Sequence, residues 1–589
     1  MSVASSKTGV VGIDYKLWRL VVYDYVIVGG GSSGCVLANR LSARLSNRVA
    51  LIEAGPDTPP HNVPETILSE GYLPDYFEPF RYWTDLKVYR DPVGNKSRAE
   101  IERGLTPVRY EQPRVMGGGS SVNAQVAVRG LPSDYDEWEK LGASGWSWND
   151  CLPYFRKLER DHDFGGPYHG TTGPISISRI LPELWSKFAL DFRDTLVSFG
   201  IKYHDDAHSH FDDGCFPFPR NNLLGRRVST AIAYLDNITR RRSNLDIFAQ
   251  SEVEAIEFEG RQATGICFSR EGVKQRIASR NIILCAGAIH SPALLLRAGI
   301  GPGAHLSEIG IPILVDRPGI GANLQDHPLV GIGIHLKPAG RLDEVIKSPF
   351  TLFARFSSGM DGCPPQDMKL SLSSRLDPSA IGHQFAVVRY GPDKAYSKGR
   401  ILLRTANFRD EPIVAFNLLS DQRDIARMIE GTKFVYRLLG DSMITKNSYS
   451  IFAGAYTNWI RWLSSTSWYN RMAGRMGASI LDYSELFRNI IFRTLFSRYS
   501  IHHMMNDDLA IEAWIRETVL GNWHACGSLR MGAAHDRLAC TDPQGRVYGV
   551  DGLRIADASI MPSIPCANTN ISTIMLAEKI SDAILSGER

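Results

Sequence analysis

The sequence predicts an α/β fold whose main domain is assembled from segments far apart in the chain. Three observations lead there. A β-branched run at Tyr25–Val28 ends in a glycine cluster and is followed by a helical pattern and a second short strand. A second apolar run, Asn281–Cys285, ends in Ala286-Gly287-Ala288. A third, Leu553–Ala556, leads through Asp557-Ala558-Ser559 into a helical run from Thr573 to Leu585. Strand, glycine turn and helix recurring at the start, middle and end is the punctuation of a parallel sheet with helical crossovers. The material between, 167–220 and 331–515, is then expected to form a second domain, leaving 20–166, 221–330 and 516–589 to the first.

The first unit is the most informative. Gly29-Gly30-Gly31-Ser32-Ser33-Gly34 follows the strand and opens a helix through Val36, Leu37, Asn39, Arg40 and Leu41. The next strand, Val49–Ile52, ends at Glu53, 19 positions past Gly34. A GxGxxG alone is weak, but in this setting it is a dinucleotide fingerprint. Gly29 permits the tight turn, Gly31 lets backbone approach a pyrophosphate, and Gly34 lets helix and strand pack closely. The helix N-terminus favours the phosphate charge. Glu53 can accept hydrogen bonds from ribose hydroxyls and would repel a 2′-phosphate. The motif itself does not separate NAD from FAD.

The chain has 589 residues, 43% of them apolar and 22% charged, enough for a large buried core. Its formal net charge of +3 carries no concentrated basic face, which argues against a nucleic-acid binder. Lys7, Asp14, Lys16 and Arg19 interrupt the N-terminus, so no secretory leader is expected, and no stretch has the apolar length to span a bilayer. Nine scattered cysteines without a CxxC pair read as reduced thiols of a cytoplasmic protein. Neither cysteines nor histidines show the sequence spacing of a metal site.

Residues 447–505 stand apart. They carry Trp459, Trp462, Trp468, Phe487, Phe492 and Phe496, and Tyr483, Phe487, Ile490, Ile491 and Leu495 fall at helical spacing. Arg461, Arg471, Arg475, Arg488, Arg493 and Arg498 outnumber Asp482 and Glu485, which raises peripheral membrane contact or a quinone-facing surface as one reading. Arg488, Arg493 and Arg498 are five apart and fan around a helix, which favours a helical excursion packed on the second domain or at an interface.

Further segments resemble the glucose–methanol–choline (GMC) flavoprotein oxidoreductases. Gly117-Gly118-Gly119-Ser120-Ser121-Val122-Asn123, with Arg129-Gly130 and Asp134-Tyr135-Asp136-Glu137-Trp138, is similar to one family signature. Gly287-Ala288-Ile289-His290-Ser291-Pro292 is similar to another, as are Gly321–His327, Trp523-His524-Ala525-Cys526-Gly527 and Asp557–Glu578. Within the family the wording of 129–138, 211–214 (FDDG), 416–421 (FNLLSD) and 567–570 (ANTN) most resembles the branch of bacterial 5-hydroxymethylfurfural oxidases and aryl-alcohol oxidases. The likeness weakens over 331–400 and fails over 447–505.

The resemblance implies a Rossmann-like FAD-binding domain and a substrate domain with an antiparallel sheet flanked by helices. It implies oxidation of a primary alcohol, aryl or furanic, by hydride transfer to flavin N5, with His524 as the base. The family's second catalytic position is histidine or asparagine. Counting back from Lys579 puts Asn568 there, with Asn570 the competing assignment; an amide can donate to the substrate oxygen but cannot act as base. Some members bind FAD covalently through a histidine where this chain has Val122, so noncovalent FAD is expected. Gly118, Ser121 and Asn123 are expected near the flavin, with Ser33 in the glycine turn. Val253 is expected at the adenine, and Asp557 and Ala558 near the ribityl chain and pyrimidine. Reoxidation by O2, releasing hydrogen peroxide, or by a quinone-type acceptor are both open. So are a choline or aliphatic-alcohol dehydrogenase and, without redox chemistry, an FAD-containing hydroxynitrile lyase.

Overall fold

A computed structural model describes residues 22–70, 79–376, 379–454, 468–486, 488 and 500–587. Among these, two large sheets organise the chain. The first runs in the order Leu245–Phe248, Val49–Ile52, Val22–Val28, Val273–Leu284, Gln262–Arg270, Ser251–Glu259, and Leu553–Ile555 also pairs with Val273–Leu284. Its pairings at Leu245–Phe248, Val49–Ile52, Val22–Val28, Ile282–Leu284 and Leu553–Ile555 are parallel, and the meander from Ser251 to Ala278 is antiparallel.

The central parallel segments 26–28, Val49–Ile52 and 282–284 are unbroken apolar runs because both of their faces are covered. Val26, Ile27, Leu51 and Ile283 are fully buried. The helix Ser32–Ser42 and the C-terminal helix Thr569–Ser586 pack together in the same core. Gly29 has φ +102 and a Cβ there would collide with the Cys285 carbonyl; a Cβ on Gly34 would collide with the Gly29 carbonyl. Gly29 and Gly34 are therefore required by the turn itself, before any ligand is considered, whereas a Cβ on Gly31 would meet nothing closer than 3.8 Å.

The second sheet is antiparallel, in the order Ser448–Gly454, Pro328–Leu336, Phe385–Pro392, Met368–Ser373, Phe350–Phe356, Gly214–Pro217, with Leu520–Gly521 also pairing to Pro328–Leu336. Its strands alternate with period two. Leu352, Ala354, Leu370, Leu372, Val388 and Tyr390 share one buried cluster with the helices Lys187–Ser198, Gln422–Leu439 and Asp508–Thr518. Phe353, Lys369, Ser371 and Arg389 point to the other face.

The helical reading of 447–505 is corrected at its start. Ser448–Gly454 is a strand of this sheet with a bulge at Tyr449, and Ile451 and Ala453 face its buried cluster. A helix does follow, at Trp468–Tyr483. Trp459, Trp462, Phe487, Ile490, Ile491, Phe492, Leu495, Phe496, Arg461, Arg493 and Arg498 lie outside the described residues, as does nearly all of 1–23.

Folding also assembles a cluster invisible in the sequence spacing. The ligand-type atoms of Glu159, Asp161, His169 and His208, all buried, lie within 4.8 Å of one another. Arg129 pairs with Glu159, and Arg179 pairs with Asp161 at 2.8 Å, so these carboxylates already have counterions. Burial opposes protonation of His169, but its hydrogen bonds to Asp161 and Asp206 prevail and raise its pKa to about 9.

Candidate active site

A cavity of about 510 Å³ runs from the glycine turn of the first sheet to the open face of the second. At the turn, Gly29, Gly31, Ser32 and Ser33 line it, with Glu53 and Val253 beside them. The Glu53 oxygens each accept one backbone bond, from Gly30 N and Gly55 N, both at 2.8 Å. The carboxylate thus braces the turn with part of its capacity and keeps lone pairs for ribose hydroxyls. Burial raises its pKa, against those two bonds.

Gly118, Val122 and Asn123 line the middle of the cavity. Gly118 has φ +50, and a Cβ there would come within 2.8 Å of the Gly31 Cα, so the two glycine segments meet edge to edge. Asn123 is held by Arg227, whose Nη1 donates to its Oδ1 at 2.8 Å. Asp557 accepts from Gly287 N at 2.9 Å and Ser291 Oγ at 2.6 Å, and Ala558 follows it on the wall. Two residues expected at the cofactor lie behind the wall. Gly34 packs under the turn, as its spacing role requires. Ser121 is corrected: it is fully buried and donates to Met116 O at 2.8 Å, because its short helix turns that hydroxyl inward.

The two asparagines near the C-terminus separate cleanly. Asn570 accepts from Ser32 Oγ at 2.8 Å, and its buried Nδ2 has no partner among the described residues. Together with the N–H groups of the Ser32–Ser42 helix, that orphan donor fits a pyrophosphate. The residues present therefore fit FAD along this cavity. Asn568 is the N-cap of the C-terminal helix, yet its side chain makes no capping bond. It reaches into the cavity, where its Nδ2 lies 3.0 Å from His524 Nε2 and its Oδ1 accepts from Lys369 Nζ at 3.1 Å.

His524 sits in a braced turn. The Asp326 carboxylate accepts from His524 N at 2.9 Å and His327 N at 2.8 Å, and burial pushes its own pKa up to about 7. Trp523 takes φ +55, a strained conformation for a bulky residue, and its indole donates to Glu111 at 3.2 Å. His524 Nδ1 is 2.8 Å from His327 Nδ1, and His327 Nε2 is 2.8 Å from the Asp393 carbonyl.

These contacts fix a tautomer from both sides. A carbonyl only accepts, so His327 carries its proton on Nε2 and presents a lone pair at Nδ1. His524 must then donate from Nδ1, leaving Nε2 bare. From the other side, an ammonium only donates, so Asn568 turns Oδ1 to Lys369 and Nδ2 to His524 Nε2, which must accept. Burial holds the His524 pKa well below the ordinary histidine range, and the Lys369 charge pushes the same way.

His327, Lys369, Asp393 and Asp326 were not assigned roles from sequence. His327 closes the Gly321–His327 segment, so its signal was present. Lys369 sits in Met368–Ser373, where polar and apolar residues alternate as they would on any half-exposed strand.

Comparison with known proteins places the chain in a family. Residues 23–329 match the N-terminal family model of the GMC oxidoreductases and 395–577 the C-terminal one. The chain is 41% identical over 574 residues to a 5-(hydroxymethyl)furfural oxidase of Methylovorus sp., covering 96% of this chain and 99% of that one. It is 31% identical over 590 residues to human mitochondrial choline dehydrogenase, covering 95% of this chain and 89% of that one. Among solved structures, pyridoxine 4-oxidase from Mesorbium loti superposes with a TM-score of 0.76 at 24% identity, covering 96% and 99% of the two chains. Fingerprint, two-sheet architecture and matched segments agree, and the chain belongs to the GMC oxidoreductase family.

Proposed function

We propose that this protein is an FAD-dependent alcohol oxidase that converts primary aryl or furanic alcohols to aldehydes. The observation that carries the reading is the two-sided fixing of His524 with its Nε2 unprotonated. A hydroxyl entering between His524 and Asn568 donates its proton to Nε2 and accepts from the Asn568 amide. That amide bond strengthens as negative charge grows on the oxygen. Noncovalently bound FAD supplies the hydride acceptor for the carbinol hydrogen. Asn568, not Asn570, is the second catalytic residue, supported by its contact with His524.

In this reading 20–166, 221–330 and 516–589 form the FAD domain, and 167–220 with 331–515 the substrate domain. O2 is the acceptor, with peroxide as product, by analogy with the furfural oxidase relative. All nine cysteines are unpaired, which supports a reducing, cytoplasmic setting. No helix among the described residues is long and apolar enough to cross a membrane.

The test is anaerobic mixing of the yellow holoprotein with 5-hydroxymethylfurfural and benzyl alcohol, followed by air. Bleaching, then recovery with one peroxide per turnover, is expected. Bleaching that persists in air would make it a dehydrogenase, and no bleaching by either alcohol would remove the alcohol-oxidising reading altogether.

A further inference from the structure

The open face of the antiparallel sheet is unusually cationic for a surface that receives an aromatic alcohol. Register places Lys369 opposite Arg355 and Ser371 opposite Arg389, so all three cations stand on one face. Lys369 and Arg389 line the cavity, and the lining residue that answers them from the same sheet is Asp393, at the end of the Phe385–Pro392 strand. Asp393 lies 3.8 Å from Lys369 Nζ, which commits it to that cation. Arg355 donates to the Ala207 and His210 carbonyls, at 2.6 and 2.9 Å. Glu111, the other carboxylate at this end, faces Arg109 at 3.8 Å and the Trp523 indole.

Arg389 is left over. Its Nη1 donates to Ser373 Oγ at 2.6 Å, and its other donors have no partner among the described residues. Arg389 therefore presents free donors to the cavity with no carboxylate of the sheet committed to it. A ligand carboxylate matches the planar fork of the guanidinium. Lys369 marks the reacting end through Asn568, and Arg389 faces Ser371, two residues further along the strand, about 7 Å away. That offset accommodates one ring with the hydroxymethyl group on one side and the anion on the other. Phe218, Phe350, Val126 and Leu329 supply apolar walls for the ring.

We propose that the substrate is an aryl or furanic alcohol that also carries a carboxylate, and that Arg389 receives this carboxylate. The proposal rests on the alcohol-oxidase reading and narrows it. It also disfavours a quaternary ammonium substrate, which this face repels.

The experiment compares 4-(hydroxymethyl)benzoate, its methyl ester and choline as anaerobic reductants of the holoprotein, in wild type, Arg389→Gln and Arg389→Lys. The acid is expected to exceed the ester by about tenfold or more in the second-order rate of flavin reduction. That ratio should collapse in Arg389→Gln and return in part in Arg389→Lys. Equal use of acid and ester by the wild type, an acid preference that survives Arg389→Gln, or choline as the better reductant would overturn the inference. Reduction by the ester with no preference for the acid would leave the alcohol-oxidase reading standing; reduction by none of the three would remove the carboxylate-bearing substrate, and the oxidase reading too only if 5-hydroxymethylfurfural and benzyl alcohol also fail.

Discussion

His327 and His524 meet through like atoms: their Nδ1 nitrogens are 2.8 Å apart, with the rings at 86° to each other. Two imidazoles so placed share one proton between those nitrogens. The Asp393 carbonyl beyond His327 decides which of them holds it. The consequence is felt on the far side of His524, at Nε2, where a base is needed.

This arrangement sets the pH dependence. Because burial and neighbouring charge hold His524 below the ordinary value of 6.5, its base form persists through neutral pH and into mild acid. The expected profile of kcat/KM is flat across neutrality, with an acid limb below the range of a free imidazole. A limb at or above pH 7 in the reductive half-reaction would contradict it.

His327 is a positioning residue, and its removal should show as such. His327→Leu takes away the lone pair that receives the His524 Nδ1 proton, an acceptor that also steadies the imidazolium, so protonation of His524 becomes harder still. Flavin reduction should slow by about tenfold or more and the acid limb should move to lower pH. A slower rate on an unmoved limb would point to a merely structural effect.

Val122 makes a simple prediction about the cofactor. Valine has no nucleophilic atom, so acid precipitation should release all the flavin to the supernatant. Yellow colour retained in the pellet would mean attachment elsewhere.

The buried Glu159–Asp161–His169–Asp206 network should contribute stability with a definite sign. The His169 pKa rises from 6.5 to about 9 on folding, so its contribution is fully present below pH 6.5 and is lost as pH rises through 9. The stability gap between wild type and His169→Gln, measured by denaturant melts, should narrow from pH 6 to pH 10. A gap that widens over that range would contradict the assignment.

Legibility in the sequence followed the range of the contacts. Gly29, Gly31, Gly34 and Glu53 were readable because strand, turn and helix are contiguous, and Gly29 and Gly34 answer local steric demands. Ser121 misled because a motif position does not say which way a hydroxyl turns. His327 and His524 are 197 residues apart, and Lys369 and Asn568 are 199 apart, so no local pattern reports that they touch. Lys369 and Arg389 become a pair of cavity cations only through the register of two antiparallel strands. Alternation in one sequence shows that such a face exists, not whether it meets solvent or substrate.

The measurement that bears most directly on the central claim is anaerobic flavin reduction by 5-hydroxymethylfurfural in His524→Ala, on protein shown by its visible spectrum to retain FAD. A fall of about two powers of ten or more with the cofactor still bound is expected. Reduction at a rate near that of the wild type would mean that His524 is not the base.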